Sequence, residues 1–417
     1  MKPSSKWLAE MNDDWQIINP KLIFEERRGK SLPDDVHLTP SQIYGVLPQT
    51  EYMEKTGTGV VLNLVGADNM KHVEKDDFII HLRSFQGGIE HSPYNGKVSN
   101  AYCVLKAKSG VEPRFFRWVL KSSGYIQELN STTNQLRDGQ SIKFEQFASI
   151  GLPLPPLEEQ RRIADYLDTA CKYIDESVLV TSNLLNLSEE IIISELDELF
   201  TEKPTPDFLL GKIGISTSLF RAGVRGQAGQ TPKSSEPSFW TESGLGTPWL
   251  SIGDLVSRGR VECSEKDVTE LGLREIGMQP SNGDALLFAM YASMGKVTFA
   301  PSGFVWSQAI LGLNTRDVDK YFLAAWFEVA RPNLKALARS STQDNLNAEQ
   351  VMSLRIPVLN GEAQKSIGRQ YLSIVDKHII RTDLLAKQSS LLIELKSSLI
   401  TAAVTGTFDV TTGRSVA

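Results

Sequence analysis

The chain has little of what builds covalent or metal frameworks. Only three of its 417 residues are cysteines, and Cys103, Cys171 and Cys263 stand far apart with no Cys-x-x-Cys. That excludes a disulfide scaffold or a zinc knuckle, and each thiol reads as a small buried apolar residue. The five histidines, His37, His72, His81, His91 and His378, show no metal-ligand spacing. A basic excess is also missing. Lys and Arg number 44 against 50 Asp and Glu, a net charge of −6, whereas nucleic-acid-binding domains usually carry the opposite sign. Net charge averages over faces, however, and Asp207 to Glu236 encloses Lys212, Arg221, Arg225 and Lys233 with no acidic residue between. No apolar run is long enough to span a bilayer and no secretory h-region opens the chain, so the expected location is the cytoplasm.

Catalytic signatures are lacking too. There is no Gly-x-Gly-x-x-Gly, and the glycine-rich, basic Gly223–Lys233 segment does not fit a nucleotide P-loop. Asn19-Pro20 is followed by Lys21, not by the aromatic of an adenine methyltransferase. Glu394-Leu-Lys396 has no Pro-Asp strand before it that would make a nuclease. The chain reads as a binding and positioning device and not as an enzyme.

What is present is a punctuated stretch, Ile150-Gly-Leu-Pro-Leu-Pro-Pro-Leu-Glu-Glu-Gln-Arg-Arg-Ile163. Its prolines separate a short strand from a helix, with Pro155 or Pro156 suited to the first helical positions and Glu158 and Glu159 to the first turn. Ile163, Leu167, Cys171, Ile174, Val178, Thr181, Leu185, Ser188, Ile192, Leu196 and Leu199 then recur at helical spacing, predicting a helix of about 40 residues, roughly 60 Å long. A compact domain has no use for such length, so this is a spacer or a coiled-coil arm.

The stretch occurs twice. Phe144–Pro153 matches Ala348–Pro357 without a gap, with Glu145/Glu349, Gln146/Gln350, Ser149/Ser353 and Pro153/Pro357 identical. Glu158/Glu362, Gln160/Gln364 and Ile163/Ile367 continue the match, and after one inserted residue so do Tyr166-Leu167 and Tyr371-Leu372. Copies this far apart are not solenoid repeats. They mark a duplicated module, a globular domain followed by a long helix. The second helix carries its stripe at Ile367, Leu372, Val375, Ile379, Leu385, Leu392, Leu395 and Leu399.

These residues carry a resemblance. A Pro-Pro-Leu-x-Glu-Gln-x-x-Ile opening to a long helix, repeated after a second domain, resembles the specificity subunit of type I restriction-modification systems. Leu399–Val410, Gly229–Pro232, Thr247–Leu255 and Gly283-Asp284 resemble further segments of that family. Two places depart from it: Asn360-Gly361 replaces Pro156-Leu157, and the first helix ends Glu195-Leu-Asp-Glu-Leu-Phe200 without a Val-Thr-Gly.

The resemblance implies a mixed α/β (α+β) fold: two similar target-recognition domains, residues 1–153 and 204–357, joined by long antiparallel coiled-coil helices in 154–203 and 358–417. It implies double-stranded DNA as ligand, two methyltransferase subunits docked on the helices, and restriction or translocase subunits added for cleavage. S-adenosylmethionine, and ATP with magnesium, would be held by those partners and no cofactor by this chain.

Within the first domain, Val60–Val65, Phe78–Leu82 and Ala101–Leu105 read as strands and Arg114–Leu129 as a helix. The second repeats the layout, Asp77–Ile80 aligning with Asp284–Leu287 and Arg114–Trp118 with Lys320–Ala324. Candidate DNA contacts are the basic turn Arg27, Arg28 and Lys30, with Arg83 and Lys97, and in the second domain Arg221, Arg225 and Lys233. Cations neutralise phosphate wherever they land, though each such turn is equally a solvated loop. Tyr291, Ser293 and Lys296, on the turn Met290–Lys296, could reach base edges or form a plain hairpin. Phe239-Trp240 and Trp249 read as core. Glu158, Glu159, Gln160, Glu362 and Gln364 are the candidate partner-binding residues. Two other classes fit less well: a two-headed receptor-binding protein on a coiled coil, and a self-sufficient nuclease.

Overall fold

A computed structural model of the chain describes residues 6–57, 70–82, 84–132, 142–339 and 345–415. The expected strand Val60–Val65 and the candidate Arg83 lie outside them. The chain divides into two compact units, residues 1–181 with 387–417, and residues 182–386.

The first unit is built on β1 (Gln16–Ile18), β2 (Phe24–Glu26), β3 (Leu38–Ser41), β4 (Gly45–Pro48), β5 (Lys71–Val73), β6 (Phe78–Ile80), β7 (Glu90–His91), β8 (Gly96–Val98), β9 (Cys103–Ala107) and β10 (Leu152–Leu154). Strands β2, β9, β6 and β7 form an antiparallel sheet in that order. Its inner face, Phe24, Phe78, Ile80 and Leu105, packs on Phe115, Phe116 and Phe147, and four aromatic pairs in this group meet edge to face, the geometry that ring quadrupoles favour. The expected single helix over Arg114–Leu129 is two, α1 (Pro113–Val119) and α2 (Ser123–Ser131). Ser122 explains the break, since its hydroxyl caps Tyr125 N and starts a second helix.

In the second unit, β11 (Ser216–Ser218), β12 (Val224–Ala228), β13 (Trp240–Glu242), β14 (Thr247–Leu250), β15 (Lys266–Val268), β16 (Ala285–Ala289), β17 (Val297–Ala300), β18 (Val305–Trp306), β19 (Ile310–Thr315) and β20 (Arg355–Pro357) appear in turn. Strands β12, β19, β16 and β17 again make an antiparallel four-stranded sheet. A second sheet, β13-β15-β14-β18, has one parallel pair, β14 with β18. Lys320–Arg339 is helical (α4 below) and buries Phe322, Trp326 and Phe327 against the first sheet.

Both units close in the same way. The incoming strand pairs antiparallel with the strand before the long helix: β1 with β10 through Ile17 and Pro153, and β11 with β20 through Thr217 and Ile356. Just before the closing strand stands a short helix, Phe144–Phe147 or Ala348–Ser353, and in each Gln146 or Gln350 reaches back to accept from the backbone N–H of the cap residue, Lys143 or Asn347; only Asn347 returns the bond and completes a capping box, its side chain accepting from Gln350 N. The duplicated glutamines thus satisfy backbone donors that a helix N-terminus leaves open.

The long helices are continuous: α3 covers Leu157–Asp197 and α5 covers Gly361–Thr405. Pro156 precedes α3 instead of lying inside it, its carbonyl accepting from Gln160 N. Where the second copy lacks this proline, Asn360 takes over, its side chain accepting from Ala363 N at 2.8 Å. The α3 stripe is as the spacing predicts, with every named position buried or half-buried. The α5 stripe differs at two positions. Ile379 and Leu395 are exposed and Tyr371, His378 and Ile400 turn inward in addition, while Ile367, Leu372, Val375, Leu385, Leu392 and Leu399 are buried or half-buried as the spacing predicts. A polar residue in the seam, His378, had hidden the phase beside Ile379. Within each unit the helices run antiparallel. Ile163 and Leu167 share a core with Ile400 and Ala403 in the first, as Ile192 and Leu196 do with Tyr371 and Val375 in the second. Of the cysteines, Cys103 and Cys171 are buried but Cys263 is exposed, which corrects the reading of all three as core residues.

Candidate nucleic-acid interface

In the first unit the basic turn is only partly free. Arg27 is buried to 13% side-chain exposure and gives both arms to Asp77, at 2.6 and 3.0 Å, with Glu74 at 2.8 Å. It fastens the turn to β6 and is already committed to carboxylates. Arg28 and Lys30 are exposed, with Glu26 3.4 Å from Arg28. Lys97 lies half-buried in β8 opposite His72. Burial, and then the Lys97 charge, hold the nearby His37 below its ordinary pKa.

Sequence reading missed a cleft of about 550 Å³ behind the β3–β4 hairpin, lined by Tyr44, Tyr94, Trp118, Lys75, Arg117 and Lys121. Arg117 stacks over Trp118 at 4.7 Å and pairs with Asp168, and Lys121 pairs with Glu90. At the hairpin tip Ile43 is 84% exposed, with nothing polar in its side chain to justify the position.

In the second unit the first half of the glycine-rich basic segment is a strand, β12, and its second half, which carries Lys233, is a loop. Gly229 is required because a Cβ there would lie 2.1 Å from the Trp306 carbonyl. Arg225 projects from β12 over the Phe220 ring at 5.2 Å and is exposed, as are Arg221 and Lys233. Arg225 and Gln227 line one wall of a polar groove of about 410 Å³, whose other walls include Asn282, Asp284, Asn314 and Lys320. Asp284 holds Arg260 in a two-armed ion pair and Lys320 at 3.4 Å. The Arg260 hydrogen bonds, ahead of those from Lys320, push its carboxyl pKa down to about 2. The groove offers donors of charge and amide type together, the chemistry that contacts phosphates and base edges.

Trp240 and Trp249 are half-buried and pack on the apolar core of the second sheet, as expected. They meet edge to face at 4.9 Å and line an open cleft. Their indole N–H groups donate to the Lys233 and Gln230 carbonyls and so hold the loop that carries Lys233. Tyr291, Ser293 and Lys296 do not line the polar groove. Tyr291 packs on the core, and the Lys296 ammonium is spent on the Leu255 carbonyl, with burial the first cause of its lowered pKa. The turn joins the paired strands β16 and β17.

Of the candidate partner contacts, Glu158 and Glu362 are exposed and Glu159 is half-buried, each paired with a cation one turn on. Gln160 is buried to 1% and Gln364 is half-buried. Both use their amides internally, each donating one hydrogen bond and accepting one. On the outer faces of the helices, Leu179 and Val180 in the first unit and Leu184, Leu187, Ile380 and Leu384 in the second are exposed.

Two sheet-and-helix domains, each leading into a long helix, define a chain of the specificity-subunit class, and solved structures share that fold. A chain from a structure concerned with complex assembly and conformational transition of the type I R-M system matches with a TM-score of 0.67 at 16% identity, over 94% of this chain and 98% of that one. The HsdS subunit from Thermoanaerobacter tengcongensis matches with a TM-score of 0.54 at 16% identity, over 95% and 98%. In sequence, the family described as type I restriction modification DNA specificity domain matches twice, at residues 12–177 and 222–390. The chain belongs to that family. It is also 21% identical, over 88% of both chains, to a Methanocaldococcus jannaschii protein assigned as the type I restriction enzyme MjaX specificity subunit. No helix among the described residues is long and apolar enough to cross a membrane.

Proposed function

We propose that this chain reads a two-part DNA target, one half with each globular domain, and docks two methyltransferase subunits on its long helices, with restriction or translocase subunits joining for cleavage. The observation that carries the reading is the duplication of a whole device: incoming strand closed on outgoing strand, capped short helix, then long helix. Duplicated readers that differ in their loops suit a target in two different halves, and half-site spacing follows protein geometry. The exposed leucines and isoleucines of the long helices support docking, because apolar groups gathered on one surface mark interaction sites. The chain itself is non-catalytic in this reading and acts in the cytoplasm. Its partners supply S-adenosylmethionine binding, and ATP with magnesium for cleavage.

The test is co-expression with a type I methyltransferase subunit from the same genome, followed by sequencing of genomic methylation. A motif of two specified halves around an unspecified gap is expected. Exchanging residues 1–150 for those of another family member should then alter one half alone. A change in both halves would contradict independent readers.

A further inference from the structure

The duplicated glutamines make the same three-way junction in both units. Gln160 donates through Nε2 to the Pro155 carbonyl at 2.8 Å and accepts through Oε1 from Glu112 N at 2.9 Å. Gln364 donates to the Leu359 carbonyl at 2.9 Å and accepts from Asp319 N at 3.0 Å. Glu112 and Asp319 occupy equivalent places, each standing immediately before a helix of its recognition domain, α1 (Pro113–Val119) and α4 (Lys320–Arg339). Their side chains accept from the first-turn backbone: Arg114 N at 3.4 Å from Glu112, and Tyr321 N and Phe322 N near 3 Å from Asp319. One amide therefore ties three backbones: the linker before the long helix, the first turn of that helix, and the start of the domain helix.

The approach is close at both junctions. Beside Gln364 the long helix carries Gly368, where a Cβ would stand 2.4 Å from an Asp319 carboxylate oxygen. The matching residue of the first copy is Ala164, fully buried. A primary amide suits the task because it alone among side chains of this length presents a donor and an acceptor side by side. Without it, a buried N–H and a carbonyl would be left unpaired.

We propose that Gln160 and Gln364 are positioning residues that fix the angle between each recognition domain and its long helix, and thereby hold the gap between half-sites to one length. This rests on the reading of the chain as a two-part DNA reader. The surrounding core restrains the domain as a whole, but hydrophobic contact is non-directional, whereas two opposed hydrogen bonds set a direction.

The experiment compares three full-length chains, each co-expressed with its methyltransferase partner: wild type, Gln160→Ala with Gln364→Ala, and Gln160→Glu with Gln364→Glu. Glutamate keeps the length and one acceptor but turns a second acceptor onto the Pro155 and Leu359 carbonyls. Methylation sequencing should give unchanged half-sites in all three. In both variants, sites whose gap is one base pair longer or shorter should rise about fivefold or more, roughly the factor that one net hydrogen bond is worth. Variants that lose methylation yet keep the single wild-type gap would overturn the proposal and leave the amides a purely stabilising part. Amide hydrogen exchange on the wild-type chain tests the junction without any substitution. Slow exchange at Glu112 and Asp319 is expected, and exchange at open-loop rates would overturn it. A wild-type complex that marks no two-part motif would remove the reading beneath the proposal, and that result shows in the wild-type sample alone.

Discussion

The carboxylate of Asp284 takes both arms of the Arg260 guanidinium, at 2.7 and 2.9 Å, and stands 3.4 Å from the Lys320 ammonium. It thus neutralises two cations at the edge of a groove whose free cation is Arg225 among those lining it. Asp284→Asn should release both and remove an anion that repels DNA. Binding to duplex of any sequence should tighten, with the salt slope steeper by about 1 to 2. Fluorescence anisotropy over a salt series reads this, and an unchanged slope would place the groove away from DNA.

The same pair has an acid signature. The Asp284 pKa is depressed to about 2 in the folded chain, so its contribution is fully present above the ordinary carboxylate range and is lost as pH falls from about 4 towards 2. The groups are a third to a half exposed, which limits the effect to about 1 kcal/mol. Urea unfolding at pH 7 and pH 3 should show the wild type losing about half of that increment and the Asp284→Asn variant not losing it.

Arg225 and Lys233 remain the exposed cations of the second unit's basic segment, now placed on a strand and on a loop held by two tryptophans. Replacing both by Ala should weaken binding by a similar factor on all sequences and flatten the salt slope by about 2. A loss confined to one target sequence would make them base readers instead.

Arg258 ties the second domain to the helices. Its Nε donates to Glu328 at 2.8 Å and its Nη1 to Glu189 at 2.7 Å, and Glu189 accepts from or pairs with His378 at 3.0 Å. Burial is the first cause of the raised Glu328 pKa, which Arg258 opposes. Removing Arg258 leaves a fully buried acid without its hydrogen-bonded cation and with only the charge of Arg331 near it, so Arg258→Ala should destabilise by about 3 to 5 kcal/mol. Adding Glu328→Gln should recover a substantial part. Chemical unfolding of the three chains measures it, and a loss within about 1 kcal/mol for the single variant would show the acid already neutral.

The fold was legible in the sequence where periodicity and punctuation carry it. The α3 stripe, the proline stop and the duplication all describe the structure, because a stripe must be buried and a proline cannot donate. Phase was lost in α5 around His378, which occupies a seam position normally filled by an apolar residue. The two domain helices were aligned one residue out of step. Their true equivalence, Glu112 with Asp319, is defined by the amides that meet them and by the carboxylate cap that each supplies. Basic residues were legible only as charge. Whether an arginine faces solvent, like Arg225, or a carboxylate fifty residues away, like Arg27, depends on strand pairing that local sequence does not encode.

The last prediction concerns length. Helix α3 is continuous from Leu157 to Asp197, and from Glu158 to Phe200 it has no glycine or proline to absorb a change. Seven residues inserted after Asn183 keep the apolar stripe nearly in phase and leave the polar contacts of Ser188 and Glu189 with His378 in their own turn. The helix lengthens by about 10 Å, the rise of roughly three base pairs. Helix α5 is not lengthened, so part of the insertion is expected to loop out. Methylation sequencing should therefore show both half-sites unchanged and a gap about one to three base pairs longer. A gap that stays fixed while methylation continues would mean that the helices only dock partners and that the spacing is set elsewhere.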